Sequence, residues 1–457
     1  MKLTHINIGK HLFAVLGLVA CNEMIVFSGD ASSLESQPTN TAPVARAQSV
    51  GVALNAPAKT ITLVASDKDH DPLTYSIVSG PSHGTLTPAG GPLYLYTRTL
   101  NYQGRDSFKF KVNDGTTDSK PATVTIVNSP HGIFQLTGGT PWQQNPNVDG
   151  LHLGVNWADI ALTEDVSGWN WASLDQQLWN GATTNKQVGL SLKILSSPPS
   201  WLLTTYGVQT YLVPDAQDGQ KSDMTMVLPW DPIVKQKVMD FISALAHHIT
   251  SAQYGKLHVD GTASYIVMGG LGIQTETHMP GPADTIPHIP DPNNPGQDIS
   301  IADELALWQQ TSKDFIASYA TNFRTTPFLM ASEVPIQEDV PDSTTAVTDV
   351  FCYGIGSTAP ECVGTPYKGY GALFGVMNWA LTDTSTTDYF VNEWISANSP
   401  THSNGFQFAS DYGGILDPTA VLNAGLALKG HFIEIYAIDA DGLFAPLIHT
   451  YSLLLPY

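Results

Sequence analysis

Two hydrophobic patterns divide the chain. Between residues 46 and 128, short segments alternate apolar and polar side chains, as in Thr60-Ile61-Thr62-Leu63-Val64, Asp106-Ser107-Phe108-Lys109-Phe110-Lys111-Val112 and Ala122-Thr123-Val124-Thr125-Ile126-Val127. A period of two predicts half-buried strands. Gly80-Pro81, Gly90-Gly91-Pro92 and Asn113-Asp114-Gly115 punctuate them. Short strands at this spacing predict an all-β sandwich.

Residues 129–457 read differently. Eight strand-like runs stand at Gly132–Leu136, His152–Trp157, Val188–Leu195, Tyr265–Ile273, Pro327–Ala331, Leu373–Trp379, Gly405–Ala409 and Phe432–Ala437. Most are continuously apolar, as strands covered on both faces must be. Amphipathic helices lie between them. Asp231-Pro232 caps one helix, with Val234, Val238, Phe241, Ile242, Leu245 and Ile249 on a single face. Ser300 and Asp303 open another, with Ile301, Leu305, Trp308, Phe315 and Tyr319 inward. Eight strands alternating with helices predict an α/β (β/α)₈ TIM barrel. The rival, a doubly wound sheet, lacks its Gly-rich phosphate loop after the first strand.

Charge and cysteine content narrow the setting. Lys and Arg number 20 and Asp and Glu 41, a formal charge of −21 over 457 residues. So acidic a chain is repelled by phosphate backbones, and nucleic acid is excluded as a partner. Residues 1–20 read as a secretory signal: Lys2 and Lys10 precede the nine-residue apolar run Leu12–Ala20, too short to cross a bilayer. Leu18-Val19-Ala20-Cys21 resembles the lipobox of bacterial lipoproteins, which implies lipidation of Cys21, export and a membrane anchor; ordinary cleavage near Ala20 is the alternative. Residues 21–45 have the composition of a flexible tether. Cys352 and Cys362 then form an even remainder, expected to close a surface loop as a disulfide in an exported protein.

Barrel chemistry collects at the C-terminal ends of the strands. Those ends supply Asn156 and Trp157, then Trp201 beyond Pro198-Pro199, Glu276, Glu333, Asn378 with Trp379, Gln407 with Asp411 beyond it, and finally Glu434 and Tyr436. Carboxylates, amides and aromatic faces suit sugar chemistry: rings stack on pyranose faces, amides bind hydroxyls, and paired carboxyls cleave acetals. A G-x-S-x-G elbow is missing, and no organic cofactor is implied. His247-His248 reads as a surface pair on a helix. Glu434, inside Phe-Ile-Glu-Ile-Tyr, either faces the barrel mouth or pairs structurally with Lys193.

Family resemblances sharpen both halves. Ser66-Asp67-Lys68-Asp69-His70-Asp71-Pro72-Leu73-Thr74-Tyr75, followed by Gly80-Pro81-Ser82-His83-Gly84-Thr85-Leu86, resembles the bacterial cadherin-like, immunoglobulin-like repeats. That implies a spacer or adhesive sandwich. Asp67, Asp69 and Asp71 share one face of an extended strand, either as Ca²⁺ ligands, with Asp114 as an addition, or as a solvated acidic turn. Asn156-Trp157-Ala158-Asp159-Ile160, then Trp169-Asn170-Trp171-Ala172-Ser173-Leu174-Asp175 and Pro199-Ser200-Trp201-Leu202, resemble the clan-A-type glycoside hydrolases. The resemblance implies Glu276, closing the fourth strand, as general acid/base, although Thr275 stands where the family has Asn. The family's nucleophile closes the seventh strand; here that strand carries no carboxylate, so Glu434, Glu333 or Asp411 would take the role. The expected function is an exported glycoside hydrolase acting on carbohydrate, the alternative a non-catalytic surface protein that binds glycans.

Overall fold

The computed structural model describes residues 40–100, 102, 106–136, 141–213, 224–250, 263–271, 291, 296–331, 343–356, 362, 369–382, 385, 390–398, 402–408, 418–436 and 445–455. Residues Ala42–Tyr457 form one compact unit. The signal segment and Cys21 lie outside the described residues.

The sandwich comprises β1 (Val44–Ala45), β2 (Gln48–Ala53), β3 (Lys59–Thr62), β4 (Ala65–Ser66), β5 (Thr74–Ser79), β6 (Gly84–Gly90), β7 (Leu93–Arg98), β8 (Asp106–Asn113) and β9 (Ala122–Ser129). One sheet has the order β2-β9-β8-β5 and the other β3-β7-β6. Alternation works as expected: in β8, Phe108, Phe110 and Val112 are buried and their neighbours are not. With Ile61, Tyr96, Val124 and Ile126 they make the core. The Tyr96 ring passes beneath Gly84, where a Cβ would lie 2.5 Å from it, and its hydroxyl donates to Asp106 at 2.6 Å. Strand β1 pairs with β4, so ordered sandwich structure already begins inside the segment read as tether.

Eight parallel strands close the barrel: β10 (Gly132–Leu136), β11 (Gly150–Asn156), β12 (Gln187–Lys193), β15 (Ala263–Val267), β16 (Phe328–Ala331), β17 (Phe374–Leu381), β18 (Gly405–Phe408) and β19 (Phe432–Ile435). The small ribbon β13 (Tyr211–Val213) and β14 (Met224–Met226) stands in the connection after β12. Main helices are α1 (Trp157–Ile160), α2 (Ala172–Thr184), α3 (Ser200–Tyr206), α4 (Pro232–Thr250), α5 (Ile301–Asn322), α6 (Ser343–Ile355), α7 (Phe390–Asn398) and α8 (Pro418–Ala427). Strand residues of one parity, such as Val188, Leu190 and Leu192, join the helices in the outer core. Residues of the other parity, including Phe134, Tyr265, Leu329, Met377 and Phe432, form a separate cluster filling the lumen. Both expected helix caps are present: Asp231 accepts the amides of Ile233 and Val234, and Ser300 that of Asp303.

Three local expectations need correction. Ile301 is exposed along with Ala302 and Asp303, and the buried face of α5 begins at Glu304 and Leu305. His248 is not a surface residue: it is buried against Trp171, with Nε2 at 2.7 Å from Asp175, whereas His247 is exposed. The Cys352–Cys362 disulfide forms as expected, but both sulfurs sit in the outer core rather than on a surface loop.

Two residues separate β9 from β10, so the sandwich meets the N-terminal ends of the barrel strands. The Asn128 amide donates to Thr325 O at 3.0 Å, and buried Arg98 donates to the Asn128 side chain and the carbonyls of Val52 and Val127.

Glu304, in the first turn of α5, is buried, and its Oε1 has no hydrogen-bond partner among the described residues. Burial pushes its carboxyl up from 4.5 to about 7. The folded chain therefore keeps a proton that the unfolded chain releases. Stability should fall as pH rises through the window from 4.5 to about 7, by on the order of 3 kcal/mol if this group acts alone. Denaturant midpoints at either end of that window should show the decline in wild type and a flatter profile in Glu304→Gln.

Candidate active site in the barrel lumen

β19 alternates inward Phe432 and Glu434 with outward Ile433 and Ile435. Glu434 is in register with Gln407 on β18 and Phe134 on β10. Its side chain is fully buried. Two groups from distant strands meet the same oxygen. His152 of β11 places Nδ1 2.5 Å from Oε1, and Tyr265 of β15 donates its hydroxyl to Oε1 at 2.5 Å. Burial, then the charge of Glu434 and this hydrogen bond, raise Tyr265 well above the ordinary phenol range, so it stays a donor. Glu434 Oε2 and the neighbouring Gln407 Oε1 are buried and have no hydrogen-bond partner among the described residues. Buried polar atoms are usually satisfied, so two orphans side by side mark a place built for polar contact.

Gly189 of β12 makes this arrangement possible. It is in register with Tyr265, and a Cβ there would stand 2.0 Å from the ring. The tyrosine can cross the lumen only over a bare backbone.

Of the residues expected from the sequence, Glu434 and Gln407 meet in the lumen. Glu434 does not pair with Lys193; His152 and Tyr265 hold it instead. Asn156 closes β11 and donates to Asp159 at 2.8 Å. Trp157 is fully buried in the outer core against Trp201 and Phe241, which removes it as a sugar platform. Trp201 is half-buried, donates to Ala161 O at 2.7 Å and carries Lys237 above its ring. Asn378 also departs from expectation: it is buried and donates to Asn392 of α7, behind the wall. Trp379 stands in β17. Tyr436 follows β19 and packs on the outer core. Glu276, Glu333 and Asp411 lie outside the described residues.

Sequence reasoning missed His152, Tyr265 and an aromatic hollow of about 260 Å³ in the connection after β12, walled by Tyr206, Tyr211 and Trp230 with Gln209 and Asp231. Burial, and then the charge of Asp231, raise the Tyr211 hydroxyl. Clustered aromatics after Pro-Pro-Ser-Trp were the available signal.

In the sandwich, Asp67, Asp69 and Asp71 bring one carboxylate oxygen each within 4.8 Å of one another. Asp67 Oδ1 accepts the amides of Asp69 and Asp71, and the turn passes through His70 at φ +66°. Asp114 is not in this group; its carboxylate holds the amides of Thr116 and Thr117. Three oxygens fit part of the six to eight that Ca²⁺ takes.

Comparisons with known proteins touch both parts of the chain. Residues 40–127 match the family model for a bacterial Ig domain. No curated protein matches the chain. Among solved structures, an endo-fucoidan hydrolase from glycoside hydrolase family 107 is 21% identical with a TM-score of 0.17, over 21% of this chain and 15% of that one. A family 39 glycoside hydrolase from the gut symbiont Bacteroides cellulosilyticus WH2 is 9% identical with a TM-score of 0.33, over 86% of this chain and 74% of that one. The catalytic domain of the major endoglucanase from Xanthomonas campestris pv. campestris is 9% identical with a TM-score of 0.36, over 69% and 87% respectively. The chain spans about 15% of the length of the fucoidan hydrolase it matches. A bacterial Ig domain over residues 40–127 is thus followed by a closed eight-stranded parallel barrel.

Proposed function

We propose that this chain is an exported glycoside hydrolase, held at the cell surface through a lipid on Cys21 and raised from the membrane by its Ig-like sandwich. One observation carries the reading: a fully buried lumen carboxylate, Glu434, is fixed through one oxygen by Tyr265 and His152 while the other oxygen has no hydrogen-bond partner among the described residues. A nucleophile or base needs that combination of fixed orientation and an uncommitted oxygen. Glu276, which follows β15 in the sequence, would protonate the leaving oxygen. A carboxyl separation near ~5 Å would give retention and a wider one inversion. The hollow walled by Tyr206, Tyr211 and Trp230 offers stacking surfaces for a glycan chain.

An aryl-glycoside and polysaccharide screen of wild type beside Glu276→Gln tests this. Activity lost in the variant supports the pair, and activity unchanged removes Glu276 from the reaction. The complete burial of Glu434 and the absence of an acid from β18 favour a second reading, glycan binding without hydrolysis. Retention of a polysaccharide with no cleavage of any sugar would select it.

For the sandwich we propose Ca²⁺ at Asp67, Asp69 and Asp71. Millimolar CaCl₂ should raise the melting temperature by about 4 °C, equivalent to roughly 1–2 kcal/mol. Asp69→Asn should abolish the rise; an equal rise in the variant would place calcium elsewhere.

A further inference from the structure

Strand β12 ends in a cation that the proposed hydrolysis does not use. Val188, Leu190 and Leu192 face the outer core, so Gly189, Ser191 and Lys193 face the lumen. Lys193 is the last residue of the strand and is half-buried at the mouth. Among the described residues, no hydrogen bond or ion pair engages its ammonium. Asn156, its register partner on β11, donates instead to Asp159 at 2.8 Å.

The place of this cation relative to Glu434 follows from β11. His152, which holds Glu434, is followed two residues on by Gly154, the next lumen-facing position of the strand and an exposed one. Two residues along a strand span about 7 Å. Lys193 lies beside that glycine: a Cβ at Gly154 would stand 3.7 Å from Lys193 Cε, with no other heavy atom of the described residues within 4 Å. The lysine therefore borders open space one layer of side chains nearer the mouth than the contact between Glu434 and His152.

The groups without partners sort by polarity. Ser191 is fully buried, in register with Gly154, and its hydroxyl has no hydrogen-bond partner among the described residues. With Gln407 Oε1 and Glu434 Oε2 it makes three such oxygens on the lumen faces of β12, β18 and β19. All three can accept from the hydroxyls of a sugar. Lys193 can only donate, and its charge suits an anionic acceptor.

We propose that the barrel mouth selects a glycan bearing an isolated acidic substituent, a carboxylate or a sulfate ester, which Lys193 receives while the oxygens deeper in the lumen meet sugar hydroxyls. The proposal rests on the reading of the lumen as a carbohydrate site and names the class of carbohydrate. The formal charge of −21 is the reason the acid must be isolated, since a densely charged polyanion is repelled along its whole length. At physiological ionic strength charges farther than about 8 Å are largely screened. A single acidic group at the mouth then responds chiefly to the ammonium it touches.

The test is affinity electrophoresis of the full chain at pH 7 in 0.15 M salt, about the physiological ionic strength. The gels carry glucuronoxylan, highly methylated pectin or a sparsely sulfated galactan, each beside its carboxyl-reduced or desulfated form. At least one acidic glycan should retard the protein about tenfold more strongly than its neutral counterpart. Which one does so tells carboxylate from sulfate. Lys193→Gln should remove that preference, and Lys193→Arg, which keeps the charge, should stay within a few fold of wild type. Thermal melts check that both variants fold. Retardation by none of the acidic glycans overturns the proposal. So does equal retardation by the neutral forms, or an unchanged preference in folded Lys193→Gln. Whether the retained glycan is recovered cut or whole reports separately on hydrolysis and leaves the binding result standing.

Discussion

Replacing Glu434 by glutamine is expected to lower glycoside turnover by about a thousandfold or more, the usual scale for loss of an essential acid, base or nucleophile. The change is nearly isosteric, so the protein should still fold. The introduced amide can keep one hydrogen bond with Tyr265 or His152 through its oxygen, but it has no negative charge with which to form a glycosyl ester or activate water. Two measurements separate the readings. Turnover should collapse while the affinity for an oligosaccharide changes by no more than a few fold. If Glu434 is only a structural partner of His152, the pattern reverses, with turnover kept and the melting temperature lowered. Loss of one partner from a buried hydrogen-bonded set costs about 1–3 kcal/mol, enough to register.

Gly189→Ala is expected to be among the most damaging single-atom additions in the barrel. A methyl group there would sit 2.0 Å from the Tyr265 ring. Nothing simple relieves this, because the ring is packed against Phe134 and Phe432 at centroid distances of 5.1 and 4.6 Å. Overpacking of a filled core costs about 1–3 kcal/mol. Moving the tyrosine also loses its bond to a buried carboxylate, worth about 1.5–3 kcal/mol. A total near ~3–5 kcal/mol should appear as a lower denaturant midpoint, together with a fall in activity. A second substitution, Tyr265→Phe in the Gly189→Ala background, should then cost little in addition, because the hydrogen bond is already gone. Full additivity of the two changes would show that Gly189 does not act through Tyr265.

The barrel is legible in the sequence because its strands are covered on both faces. Such strands must be continuously apolar, and each of the eight runs found in the sequence contains or overlaps a barrel strand. The fourth run overshoots its strand. Met268 and Leu271 continue the apolar stretch past Val267, but Gly269-Gly270 intervenes, with Gly270 at φ +94°, and pairing stops. Glu434 is legible for a related reason, since an acid between two isoleucines in such a strand is costly unless used or paired. Its partners are not. His152 and Tyr265 lie 282 and 169 residues away, and only closure of the ring brings them to one oxygen. Trp157 and Asn378 depart from expectation because parity at a strand end decides between lumen and wall, and a single residue of uncertainty reverses it.

The short passage from β9 into β10 has a mechanical consequence. A module joined by a long, supple hinge would swing and leave the barrel free to tumble. Here the Arg98–Asn128–Thr325 clasp ties the last sandwich strand to the turn before β16, so traction on the amino-terminal side would enter through the base of the barrel.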